Sequence, residues 1–208
     1  MLTDDLLMLL YDTKTGRQLV SSDKADLAIG GALLAELSRQ HRIEFTDPRR
    51  LTKNRTIVVT DPTPTGDDVL DEALYRISHT RSQRAQVVVS KLAKGVRSDL
   101  LNRLTDQGTI RFERAHLAGI IPTRAWPASD AQPTEELKRE LHQVLTGERS
   151  PTPRAASIIS LLHAIDGTAK VLDCTGLGGR AAKRRAKAIA ADDTTGEVVR
   201  QALAAAAF

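Results

Sequence analysis

The stretch from Ser90 to Phe112, SKLAKGVRSDLLNRLTDQGTIRF, constrains the fold most, because it joins a cationic patch, an apolar helical face and a strand signal in one short run. Leu100, Leu101 and Leu104 recur at helical spacing, Gln107-Gly108 offers a left-handed stop, and Ile110 and Phe112 alternate with Arg111 as a strand would. Helix, turn and strand follow in order. The same order occurs earlier: Leu33 to Phe45, LLAELSRQHRIEF, and Leu100 to Phe112, LLNRLTDQGTIRF, share the pattern LL-x-x-L-x-x-Q-x-x-I-x-F. This reads either as a repeated helix-into-strand unit or as one packing demand met twice without duplication.

Ser90 is placed to cap a helix whose first turns carry Lys91, Lys94 and Arg97, and spacings of three bring those cations near one another. The helix macrodipole favours acids at that end. Cations crowded there lose some stability unless an anion is bound, so Lys94 and Arg97, with Lys91 beside them, are the candidate anion-binding residues.

The remaining elements predict a mainly α fold, a single helical domain spanning residues 1–208 with short β-hairpins, one of them protruding. Thr3 with Asp4 and Asp5 is read as the cap of LLMLLY, a short apolar element that reads as a helix in preference to a buried strand, and DTKTG as a turn. Ser22 opens a second helix through about Gln40 with Gly30-Gly31 inside it, a pair that suggests close approach by another backbone or by a ligand. His41 to Phe45 alternates as a strand, DPRR turns, and TIVVTD is a second strand pairing with it or with a neighbour. In DPTPTGDDVLDEAL, Thr65 or Gly66 enters a helix whose positive end is crowded by Asp67, Asp68, Asp71 and Glu72, a dipole-stabilising cluster and not a metal site. Ser78 to Gln86 reads as a loop.

Beyond Phe112, ERAHLAGIIPTRAWP is expected to return as a hairpin partner, with Pro122 and Pro127 bounding an exposed loop around Trp126; this only tryptophan reads either as an interface or membrane anchor or as a cover over the core. Thr134, Glu135 and Glu136 are expected to cap LKRELHQVL. RAASIISLLHAI, apolar nearly all round, should be a central helix with His163 satisfied in the core. TGLGG, from Thr175 to Gly179, lacks the residues of a phosphate loop and is read as a turn. RAAKRRAKAIAADD carries Arg180, Lys183, Arg184, Arg185 and Lys187 as a second basic surface, and EVVRQALAAAAF closes the chain as an amphipathic helix.

A net charge of +4 suits an anionic partner without choosing among membrane surface, nucleic acid and phosphorylated metabolite. The single cysteine, Cys174, rules out an internal disulfide framework and suits a reducing cytoplasm. The acidic N-terminus and the lack of an apolar run of about 18 residues argue against signal peptide and membrane span. Any membrane contact is therefore expected to be peripheral. The five histidines, His41, His79, His116, His142 and His163, have no metal-ligand spacing, Cys174 has no adjacent base, and no Gly-x-Ser-x-Gly elbow occurs. No cofactor, metal or catalytic step is expected.

LAIGGALLAEL (Leu27 to Leu37), DPTPTGDDVLDEAL (Asp61 to Leu74), KGVRSDLLNRLTDQGTI (Lys94 to Ile110) and SIISLLHA (Ser157 to Ala164) are similar, in order and spacing, to segments of the Golgi phosphoprotein 3 family, in particular its bacterial branch. The resemblance implies a helical domain with a β-hairpin used in self-association, here around Ile110 to Ile121, and peripheral binding to phosphatidylinositol 4-phosphate. It implies a headgroup site containing Lys94 and Arg97. The family's pocket tryptophan falls on Ser21 and its helix arginine on Gly30, so half of that pocket is replaced, which should lower affinity and selectivity. The leading expectation is a non-enzymatic peripheral membrane protein that binds an anionic phospholipid headgroup. Two rivals are a winged-helix-like nucleic-acid-binding protein, disfavoured by the mild charge and the lack of a base-reading face, and a lipid-independent protein adaptor.

Overall fold

Two long helices carry the interior, and both are apolar on more than one side. In the computed structural model, which describes residues 1–46, 55–117, 121–172 and 179–206, α1 (Leu2–Leu9) leads to α2 (Ser22–Arg39). The antiparallel hairpin β1 (Ile43–Phe45) and β2 (Ile57–Val59) follows, then α3 (Asp68–Ser78) and α4 (Ala85–Asp106). A second antiparallel hairpin, β3 (Glu113–Leu117) and β4 (Ile121–Ala125), leads to α5 (Gln132–Thr146), α6 (Pro153–Ala164), α7 (Thr168–Val171), α8 (Gly179–Ala190) and α9 (Thr194–Ala206). The fold is mainly α with short hairpins, as the pattern predicts. The DPRR turn, Cys174 and all of TGLGG but its last glycine lie outside the described residues.

The interior forms one continuous cluster to which both long helices, α1, α6 and α9 contribute. α2 runs against α4, α1, α6 and α9, so it is wrapped on nearly every side. Its paired glycines make this possible. A Cβ on Gly30 would lie 2.8 Å from the Val89 carbonyl oxygen, and one on Gly31 would lie 2.5 Å from Val199 Cγ2 and 2.7 Å from Leu161 Cδ2. Close helix packing is thus what the pair provides.

Several predicted boundaries move. Ser90 is not a cap: α4 begins five residues earlier at Ala85, because Ala85, Val88 and Val89 are buried and tertiary packing extends the helix back toward β2. Ser90 Oγ instead donates to the Gln86 carbonyl at 2.9 Å, inside the helix. α1 begins at Leu2, ahead of the expected Thr3 cap, and Thr3 is buried. Asp67, not Thr65 or Gly66, caps α3, accepting from the Val69 and Leu70 amides at 3.0 and 3.1 Å. Thr65 instead donates its hydroxyl to Asp71 at 2.7 Å, which fixes the turn before the helix. The loop expected from Ser78 shrinks to the residues between the ends of α3 and α4.

In the second half, α5 starts at Gln132, so Thr134 lies inside it and is buried. Ile110 pairs with Ala128 as an isolated bridge, and regular strand begins only at Glu113, leaving Phe112 48% exposed. Trp126 does not tip an exposed loop, and Pro122 lies within β4. The indole is half-buried, edge-on to Tyr11 at 5.9 Å and tilted against Phe112 at 5.7 Å. His163 is half-buried at a cleft wall and not satisfied in the core, since the face of α6 that enters the interior is made by Ile158, Ile159, Leu161 and Leu162.

Candidate anion-binding site

α4 is a helix with a break at the cationic patch. Lys94 (φ −74°, ψ 114°) and Gly95 (φ 83°, ψ −26°) leave helical geometry and take the values of the two central residues of a type II turn. The position after Lys94 must therefore be glycine, although a Cβ there would meet nothing within 4 Å. The constraint is backbone sign and not space. Beyond the turn a second helical segment starts, with the positive end of a new dipole at its first residues.

This restores in another form the clash between cations and a helix start that the sequence suggests. Ser90 does not begin the helix, but the turn at Lys94-Gly95 begins one again, and Arg97 sits in its first turn. The turn is braced from α3. Arg76 Nη1 donates to the Lys94 carbonyl at 3.0 Å, while its Nε donates to Glu72 at 2.7 Å. Gly30 lies under the same place, since its missing side chain faces the Val89 carbonyl and, at 3.2 Å, the Ala93 amide just before the break. Gly30 thus has no open face toward a ligand; it lets α4 approach α2 beneath the turn.

The cations differ. Lys91 and Lys94 are exposed, and neither side chain has a hydrogen bond or ion pair among the described residues. Arg97 is clamped. Its side chain is 21% exposed; Nε donates to Asp26 Oδ1 at 2.5 Å, and Nη1 donates to Gln18 Oε1 at 2.8 Å and to the Tyr11 hydroxyl at 3.2 Å. Burial, the largest influence, pulls the guanidinium's pKa down, but the Asp26 and Tyr11 bonds and charges together outweigh it and leave it raised. The Tyr11 hydroxyl is pushed up mainly by burial, partly offset by Arg97. Nη2 is the nitrogen left over from these contacts.

The patch therefore offers one open ammonium, Lys94, with Lys91 a turn before it, and one arginine already shared with a carboxylate. Sequence reasoning missed Asp26, Tyr11, Gln18 and Arg76 because none lies near Arg97 in the chain. Ser21 is exposed at the N-cap of α2, and its side chain makes no capping bond. Trp126, expected at a surface loop, supports the site indirectly by packing on Tyr11. Arg111 and Arg114 are exposed beyond the second helix end, as are Arg180, Lys183, Arg184, Arg185 and Lys187 along α8.

Among the described residues no helix is long and apolar enough to cross a membrane, and no group of three or more His, Cys, Asp or Glu could hold a metal ion. The molecule is thus a helical scaffold with two hairpins and a cationic break in its second long helix. The family described as Golgi phosphoprotein 3 (GPP34) matches residues 2–206, and the chain belongs to that family. No curated protein matches the chain.

Proposed function

We propose that this protein is a peripheral membrane protein that binds an anionic phospholipid headgroup of the phosphatidylinositol 4-phosphate type, without catalysing a reaction. The observation that carries the reading is the turn at Lys94-Gly95, which places an unpaired ammonium and the first turn of a helix together at the surface. Family membership supports it. Lys94 supplies the primary charge, Lys91 adds to it, and Arg97 presents Nη2 while Asp26 holds the rest of its guanidinium in place. With Ser21 and Gly30 where the resemblance implies an aromatic ring and a further arginine, binding is weaker and less selective than a complete pocket would give. The exposed cations of α8 add long-range attraction to an acidic surface, about 1 kcal/mol for each well-placed one. The setting is the cytoplasmic face of a membrane, with self-association through the hairpin around Ile110 to Ile121.

Liposome flotation across phosphoinositides and common anionic lipids tests the reading. Salt-sensitive binding that falls at least tenfold in Lys94→Ala, with thermal stability unchanged, is the expected result. Arg97→Lys keeps the charge and loses the fork, so it should bind less well without releasing Asp26. Binding indifferent to Lys94 removes the site. Protein partners retained by Lys94→Ala in the absence of any lipid binding would favour the adaptor reading instead.

A further inference from the structure

The geometry points to a second anion site, a cleft between α6, α8 and α9 that receives the phosphate of a phosphate monoester. The cleft has a volume of about 590 Å³, within the range of small-molecule sites. Nothing in it rests on the reading of the α4 break.

Side chains from three elements line the cleft. α6 contributes Ser160 and His163, one turn apart on one face; α8 contributes Lys183 and Lys187; α9 contributes Arg200. Ser160 is fully buried and, among the described residues, its Oγ has no hydrogen-bond partner. Gly196 packs directly over that hydroxyl: a Cβ there would stand 2.0 Å from Ser160 Oγ, so the glycine lets α9 close on α6 and form the cleft floor. The His163 ring also lacks a hydrogen-bond partner among the described residues. Lys187 has no ion pair among the described residues.

Two carboxylates also face the cleft. Asp166 accepts from Lys183 at 3.3 Å and Glu197 holds Arg200 through a bidentate pair, accepting from Nε at 2.9 Å and from Nη2 at 2.7 Å, so three cations face two acids before His163 is counted. His163 has its pKa lowered, first by burial; Asp166, the strongest single charge on the ring, opposes, while Lys183, Lys187 and Arg200 add their repulsion to the lowering. An anion placed among these groups would relieve that repulsion and accept from Lys187 and the imidazole. A dianionic phosphate, with three terminal oxygens, competes with Asp166 for Lys183 better than a carboxylate does.

The phosphate monoester has two sources, a soluble metabolite or a lipid headgroup, and the test separates them. The full-length protein is titrated at constant ionic strength with inorganic phosphate, glycerol phosphate and, separately, phosphatidate vesicles, while the histidine ring resonances are followed by NMR. His163→Gln identifies the His163 signal, and exposed His79 serves as the internal control. The expected result is a saturable His163 response with rising protonation, absent at His79, and weakened about tenfold in the exposed double variant Lys183→Gln with Lys187→Gln. A response to glycerol phosphate assigns the soluble source, and a response to vesicles alone assigns the headgroup. An unresponsive His163, an equal response at His79, or a response unchanged in the double variant overturns the site. So does loss of the response in Lys94→Ala, which would place the anion at α4.

Discussion

The first helix-and-hairpin unit, α2 with β1 and β2, and the second, α4 with β3 and β4, answer the same sequence pattern in different ways. Their leucines and isoleucines are used alike: Leu33, Leu34, Leu37 and Ile43 are buried, as are Leu100, Leu101, Leu104 and Ile110. Their helix ends match as well. Gln40 and Gln107 are the C-caps, and the next residue is left-handed in both, His41 at φ 56° and Gly108 at φ 73°. The same pair of bonds closes each end. The His41 and Arg42 amides donate to Ser38 and Leu37 carbonyls, and the Gly108 and Thr109 amides to Thr105 and Leu104.

Even the charged position three residues after the first leucine is used twice. Glu36 accepts from the Leu2 amide at 3.4 Å, and Arg103 bonds Asp4, so both units grip the start of α1 with opposite charges. The difference lies in the glycines. Gly30 and Gly31 are buried so that neighbouring helices can pack closely on α2, whereas Gly95 is exposed and lets α4 turn. One residue type gives close packing in the first unit and a solvent-facing helix start in the second. The break, and with it the candidate site, sits at the solvent face of a segment whose flanking residues, Ala93 and Val96, stay buried.

The contrast can be broken at four places. The largest effect should follow Gly30→Ala, because its Cβ meets main-chain atoms of α4 that cannot move aside; a loss of about 2 kcal/mol is expected even after the gain in helix propensity. Gly31→Ala meets only side-chain ends and should lose clearly less, and denaturant melts of the two compare them directly. Next, Arg97→Ala strips Asp26, Gln18 and Tyr11 of a shared donor. Because the pair is part exposed, the loss should be about 1–2 kcal/mol. If stability is untouched, the clamp is incidental.

Third, the two helix ends predict opposite signs. His41→Gly should stabilise by about 1 kcal/mol, since glycine adopts the left-handed conformation without penalty, while Gly108→Ala should destabilise by a similar amount. Equal responses would show that the ends are not equivalent. Last, an acid limb should report on Glu36. Burial, the largest influence, raises its pKa, but the bonds from Arg39, Gln40 and the Leu2 amide and the Arg39 charge outweigh it, so the net pKa lies below the ordinary glutamate value. With the folded value lower than the unfolded one, its contribution is present at neutral pH and fades as pH falls through the acid range. Glu36→Gln should flatten that limb in a pH series of thermal melts.

Much of this was legible in the chain, and the parts that were not share a cause. The helical class, both hairpins, the helix from Ser22 and the closing helix follow from periodicity and turn residues, because those signals act within a few residues of one another. Ser90 misled since serine caps only where a helix begins, and the beginning was set by Ala85, Val88 and Val89 burying themselves against distant elements. His163 misled likewise: an apolar neighbourhood in sequence does not say which side of α6 meets the interior.

The sequence by itself determined that Lys91, Lys94 and Arg97 share a short cationic run and that a glycine interrupts it. Only the tertiary structure decided that Arg97 would be held by Asp26 while Lys94 stays open, and that α6, α8 and α9 would bring His163 among lysines from another helix. Spacing along a helix fixes which side chains rise on a common face, but the charge each one finds opposite it comes from segments that meet only when the core closes.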